Sequence, residues 1–160
     1  GSVTVFGSQG LSYIDADKIT VNSNLVNNWK VVMSKTASEH AGQSDKKGRK
    51  KVISRIEVLE PNVICTESYL LLSVFDKEEE ANSMKSYVKT KFFRFLLSTI
   101  LLTQNIAKDK FQFVPLQDFT ANSDIEWRKS VEDIDKQLYA KYNLTPDEIA
   151  FIETMIKPME

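Results

Sequence analysis

The sequence predicts an α+β (mixed α/β) domain in which several short strands pack on one long central helix and a helical hairpin closes the chain. Three observations carry that prediction. Runs rich in β-branched and aromatic residues at 29–36, 52–59 and 63–75 have the composition of strands, and the second sets Val52, Ser54, Ile56 and Val58 against Ile53, Arg55, Glu57 and Leu59. Ala81, Met84, Val88, Phe92, Phe95 and Thr99 recur at spacings of three and four, the period of one helix face. Two more helical stripes lie near the C-terminus, each opening on a strong capping signal.

With 160 residues, 42% of them hydrophobic and 27% charged, the chain has the size of one domain with a real core. Three stretches differ in character. Residues 1–28 are weakly patterned: Ser, Asn and Asp surround short apolar pieces such as Val3-Thr4-Val5-Phe6 and Tyr13-Ile14, and Ile19-Thr20-Val21 reads as a short strand. Gly1-Ser2 reads as an expression scar, and a start without a native-looking Met points to a piece of a longer protein. Residues 29–119 form an α/β core. Trp29 to Thr36 is a strand, 38–51 a polar glycine-containing loop, and 52–59 a second strand ending in the Glu60-Pro61-Asn62 turn. The run 63–75 reads as a third strand. Asp76 is placed as a helix N-cap, with Glu78, Glu79 and Glu80 at the positive end of the helix dipole. After the helix, Phe111-Gln112-Phe113-Val114 alternates as a strand stopped by Pro115.

Residues 120–160 form the helical hairpin. Ser130 is an N-cap followed by the stripe Val131, Ile134, Leu138, Tyr142, and Asn143 suits the residue after a helix end. Thr145-Pro146-Asp147-Glu148 supplies an N-cap, a proline in the first turn and the glutamate of a capping box. Ile149, Ile152 and Ile156 share a face, and Pro158 stops the helix.

Catalysis needs converging groups, and the sequence supplies few. His40, the single histidine, lies in the polar loop and reads as solvated or phosphate-facing. Cys65, the single cysteine, sits in an apolar strand as a small buried hydrophobe; it leaves no internal disulfide and fits a reducing, cytoplasmic compartment. One Cys and one His cannot make a structural zinc site, and no glycine-rich phosphate loop occurs. Asp45-x-Lys47 matches half of a nuclease signature, a pattern that arises by chance. Asp133/Asp135 and Asp147/Glu148 stand at helix starts, where the dipole explains them. No apolar stretch is long enough to span a membrane. The fragment is therefore read as non-catalytic, with no metal and no cofactor of its own.

Binding chemistry is present. Net charge is only −1, but the charge is segregated: the window from Lys35 to Arg55 carries an excess of about +5, and residues 121–160 about −4. Lys46, Lys47, Arg49, Lys50 and Lys51 fall within six positions of a loop, where mobile cations and a glycine suit a phosphate backbone. A solvated loop is the plainer alternative. Thr103, Gln104, Asn105, Lys108 and Lys110 form a second polar set, of types that pair with base edges, although cations also suit a helix C-terminus. Lys89, Lys91 and Arg94 read equally well as the solvent face of the long helix. Phe92, Phe95, Leu96, Phe111 and Phe113 are placed in the core rather than against bases.

Several blocks carry a resemblance. They are Cys65-Thr66-Glu67-Ser68-Tyr69-Leu70, then Tyr87-Val88-Lys89-Thr90-Lys91-Phe92-Phe93-Arg94-Phe95-Leu96, then Thr103-Gln104-Asn105 and Phe113-Val114-Pro115-Leu116-Gln117-Asp118-Phe119. The tail adds Trp127, Ser130-Val131, Ile134-Asp135-x-Gln137-Leu138-Tyr139-x-Lys141-Tyr142 and Glu148-Ile149-Ala150-Phe151-Ile152-Glu153. Together, from roughly Trp29 onward, they resemble the C-terminal target-recognition region of adenine-N6 DNA methyltransferases from bacterial type II restriction–modification systems, including those fused to a nuclease. In that family the preceding region binds S-adenosylmethionine and carries a Pro-Pro-aromatic motif. Here Pro61, Pro115, Pro146 and Pro158 are never adjacent, so that motif is absent.

The resemblance implies a recognition module separated from its catalytic domain, with double-stranded DNA as partner and S-adenosylmethionine belonging to the parent enzyme. Lys46, Lys47, Arg49, Lys50 and Lys51 are assigned to phosphates. Lys35, Thr36, Gln104, Asn105 and Lys108 are assigned to positions near base edges, on chemistry and position alone. The alternative is a protein-interaction or homodimerisation module of the same system, using the apolar helix and the acidic hairpin.

Overall fold

A computed structural model of the chain describes residues 1–20, 22–35, 44–100 and 114–159. The fold is α+β, with two three-stranded sheets and four α-helices among the described residues. β1 (Ser2–Gly7) and β2 (Gly10–Asp15) form an antiparallel hairpin, and β1 also pairs in parallel with β5 (Val63–Cys65). The second sheet has the order β4-β3-β6, from β3 (Trp29–Ser34), β4 (Ile56–Leu59) and β6 (Tyr69–Phe75), all antiparallel, with a bulge at Val31/Val32. The helices are α1 (Glu78–Lys89), α2 (Lys91–Ile100), α3 (Val131–Lys141) and α4 (Pro146–Met155).

Strand alternation sorts the layers. Val31 and Met33 of β3 are buried in the main core with Ile56, Ala81, Val88, Phe93, Leu97, Ile134 and Leu138, on the helix side of the second sheet. Val32, Leu59 and Tyr69 point the other way and meet Phe6, Val63, Cys65 and Leu71 in a smaller cluster between the sheets. Lys30 shares that second face. Its ammonium, pulled below the usual lysine range by burial, donates to the Leu25, Val26 and Asn28 carbonyls and ties down the turn before β3. Tyr87, Phe119 and Trp127 close the far end of the main core, with the Tyr87 hydroxyl donating to the Pro115 carbonyl (2.9 Å).

The two C-terminal caps form as their sequences predict. The Ser130 hydroxyl accepts from the Asp133 N–H (3.1 Å), and Thr145 and Glu148 make both halves of a capping box (3.2 and 2.9 Å). Asn143 takes the left-handed conformation, φ 55°, that ends α3.

Other elements differ from expectation. The central helix is two helices, because Thr90 is extended (φ −64°, ψ 153°) and caps α2 by accepting from the Phe93 N–H (3.0 Å). Asp76 is not an N-cap; it accepts from Asn28, and Lys77 precedes α1 without a side-chain cap. The run 63–75 breaks at a Thr66–Tyr69 turn into strands of different sheets. Only Ile56–Leu59 of the 52–59 run is a strand, since Val52 has φ 69°. The weakly patterned N-terminal stretch is a hairpin whose turn uses Gly10 at φ 124°, and Ser2 lies within β1. Ile19 and Thr20 are outside any strand, and Val114 is buried in a bend. α4 stops at Met155, before Pro158, because Ile156 turns away to pair with Lys50. Residues 111–113 and Val21 lie outside the described residues.

Thr90 is fully buried, and its hydroxyl also donates to the Tyr87 carbonyl (2.6 Å). Thr90→Val keeps the shape but removes the cap and leaves the Phe93 N–H buried without it. A loss of about 1–3 kcal/mol is expected in urea denaturation, with an unchanged m-value; a loss below about 0.5 kcal/mol would contradict the role given to the cap.

Candidate nucleic-acid interface

The basic stretch is a built turn. The Asp45 carbonyl accepts from the Gly48 N–H (2.9 Å), so Lys46 and Lys47 occupy the two central positions of a β-turn. Gly48 follows at φ 82°, a conformation open to glycine, and the Asp45 N–H returns to the Arg49 carbonyl (2.7 Å). The Asp45 carboxylate accepts from the Lys47 and Arg49 N–H groups (2.9 and 2.8 Å) and from Arg49 Nε (3.1 Å). These bonds, the Arg49 N–H foremost, hold its carboxyl below the usual range. Asp45 is thus fully used in shaping the turn.

That geometry divides the five cations. Arg49 is paired with Asp45, and the Lys51 ammonium donates to the Ser54 carbonyl (3.1 Å). Lys46, Lys47 and Lys50 are exposed and make no ion pair among the described residues. The loop is strapped to the helical layer: Lys50 pairs with Ile156, its N–H donating to the Met155 carbonyl (2.9 Å) and its carbonyl accepting from the Lys157 N–H (2.8 Å).

Lys35 is half-buried at the end of β3, its N–H on the Ser68 carbonyl (3.1 Å). The neighbouring Ser34 bonds Ser54 through the two hydroxyls (2.6 Å) and the Arg55 carbonyl through its N–H (3.1 Å). Lys35, Lys51 and Arg55 therefore gather at one end of the second sheet. Thr36, His40, Gln104, Asn105, Lys108 and Lys110 lie outside the described residues.

In the sequence Arg94 reads as a cation of the long helix and Asp135 as a helix-start acid; both, like Arg55, make other contacts in the structure. Arg55 entered the charge count only, as one residue of an alternating run. It lies 4.8 Å from the Phe6 ring centre and bonds Glu57 and the Tyr69 hydroxyl. Arg94 is not on a solvent face: its exposure is 0%. Nε donates to the Lys89 and Thr90 carbonyls (3.1 and 3.2 Å) and Nη1 to the Lys51 carbonyl (3.0 Å). Burial pulls its guanidinium down to about 10, against the pull of Asp135, so it is charged at neutral pH. Asp135 turns inward and accepts from the Lys91 and Phe92 N–H groups (both 2.9 Å), closing the first turn of α2. Lys91 is paired with Glu153, which also accepts from the Tyr139 hydroxyl (3.0 Å).

The opposite side of α2 is different. A cleft of about 420 Å³ between α2 and α4 is lined by Phe92, Phe95, Leu96 and Phe151 together with Asp147 and Glu148. Cys65 is half-buried, and burial pushes its thiol up, away from nucleophilic use. Among the described residues no helix is long and apolar enough to cross a membrane. Among the described residues Gly7 and Gly10 flank a hairpin turn and Gly48 completes the lysine turn; none of the three opens a helix. No family model, curated protein or solved structure matches the chain.

Asp135 yields a pH prediction. Burial, assisted by Glu153, raises its pKa from 3.8 to about 6, against the two N–H groups and Arg94. A carboxyl raised on folding stabilises the protein fully below its unfolded pKa, and that contribution is lost as pH rises through the folded value. The unfolding free energy of the wild type relative to Asp135→Asn should therefore rise by about 2 kcal/mol as pH falls from 7 to 4. Urea denaturation of both proteins across that range checks it; a flat or opposite difference would show that the N–H bonds and Arg94 outweigh burial.

Proposed function

We propose that the chain is the DNA target-recognition module of a restriction–modification adenine-N6 DNA methyltransferase, acting in the bacterial cytoplasm. Base flipping and methyl transfer, with S-adenosylmethionine, belong to the catalytic domain of the parent chain. The observation that carries this proposal is the mounting of Lys46, Lys47 and Lys50. Three exposed cations leave a hydrogen-bonded turn whose base is strapped to the helices, with Lys35, Lys51 and Arg55 close behind. Cations pre-positioned on a firm base suit the regular phosphate spacing of a duplex, and they lose less entropy on binding than a free tail. Acidic residues on α3 and α4 would turn that side away from DNA.

A second reading, a protein-interaction or dimerisation module of the same system, draws on the α2–α4 cleft. Phe151, which lines it, is 55% exposed. The two readings use different surfaces. Concentration-dependent self-association without DNA binding would favour the second.

Fluorescence anisotropy with random duplex DNA at several salt concentrations tests the first. Each phosphate contact contributes about −0.9 to the slope of log K against log salt, so changing Lys46, Lys47 and Lys50 together to Ser should flatten the slope by about 2–3. Loss of the cations at Lys85, Lys129 and Lys136, away from the loop, should leave it unchanged. Equal flattening in both variants, or no binding by the wild type at low salt, would overturn the proposal.

A further inference from the structure

We propose that Arg94 is the positioning residue of the basic loop: from inside the core it fixes the Lys51 carbonyl, and through it the direction in which Lys46, Lys47 and Lys50 leave the surface. This deepens the DNA-recognition reading and, as far as DNA is concerned, rests on it.

Three observations converge on Arg94. One planar group joins two separate parts of the chain, with Nη1 on the Lys51 carbonyl (3.0 Å) and Nε on the Lys89 and Thr90 carbonyls (3.1 and 3.2 Å). The loop is anchored from below at the point where α1 ends and α2 begins.

The same Lys51 carbonyl accepts from the Ile53 N–H (2.8 Å), closing a three-residue turn around Val52. Val52 has φ 69° and is buried. A β-branched residue is strained there, because Cβ crowds the backbone, and such strain persists only where the surroundings over-determine the chain. Those surroundings are Arg94 on Lys51 and the Ile156 pairing on Lys50.

Arg94 Nη2, finally, is buried with no hydrogen-bonding protein group among the described residues. A charged side chain held in the core with part of its capacity unused contributes little net stability. What it supplies instead is the geometry it sets at Lys51.

Arg94→Lys keeps the charge and removes the fork. Leu97→Ala, in the same helix and also fully buried, is the control for core damage. In Arg94→Lys the Lys50 and Ile53 amides should exchange with solvent at least about tenfold faster while those of β3 are unchanged, and the DNA salt slope should flatten by about 1. In Leu97→Ala exchange should rise throughout the core and the slope should hold.

Loop amides as protected as the wild type's in Arg94→Lys would overturn the assignment. A loosened loop in a chain whose wild type binds no DNA would support the positioning role and overturn the recognition reading instead. Should Arg94→Lys alone fail to fold, the pair Val52→Gly/Arg94→Lys carries the test, because glycine adopts this conformation without strain. Recovery of the fold supports the proposal, and an equal loss overturns it.

Discussion

The start of α2 is the constraint on which the rest of the molecule depends. Thr90 leaves the helical region and its hydroxyl takes over the Phe93 N–H, while the Asp135 carboxylate takes those of Lys91 and Phe92. The first-turn donors of a helix inside a protein core must find acceptors, and here α3 supplies one of the two. That requirement fixes α3 against α2. Arg94, one turn further on, fixes the β3–β4 connection. The Lys91–Glu153 pair brings in α4, whose continuation at Ile156 returns to Lys50. Four segments distant in sequence are thus locked by one short polar layer.

Burying so much polarity is costly, and burying charge more so. The geometry it sets is specific, and it bears on function because the cations sit at its edge. A basic loop that is merely solvated would need no such mounting. Here Asp45 shapes the tip, Ile156 pairs with its base and Arg94 holds the Lys51 carbonyl beside the strained Val52. Among the described residues Lys46, Lys47 and Lys50 are left without an ion pair on a fixed frame, a division of labour that suits phosphate positioning. The apolar α2–α4 cleft lies on another face and leaves a second surface for a partner.

Local chemistry was legible in the sequence and long-range chemistry was not. The Ser130 cap and the Thr145–Glu148 box follow from residues within one turn of each other, so reading them needs no tertiary knowledge. β3 was visible for a similar reason, from Trp29 and the adjacent Val31-Val32-Met33. The break at Thr90 was hidden because Tyr87 to Leu96 keeps a helical period across it, and what decides it is Asp135, far along the chain. Arg94 was read as surface because charged residues usually are. Val52 was read as strand because nothing in a β-branched side chain announces a left-handed backbone. Of the proposed contact residues, the Lys46–Lys51 cluster was legible from charge density alone, but which three of its cations make no ion pair among the described residues depended on the Asp45 turn and on Ser54. The hairpin of residues 2–15 pairs with β5 across a long separation, and its short apolar pieces gave too little pattern to reveal it.

The most direct test of this account is a titration of the ¹⁵N-labelled chain with a short duplex DNA, following each backbone amide by NMR. The account predicts salt-sensitive shifts concentrated at residues 44–55 and at Lys35, with the amides of α4 unmoved. Shifts centred on the α2–α4 cleft, or a spectrum unchanged by DNA at low salt, would contradict it.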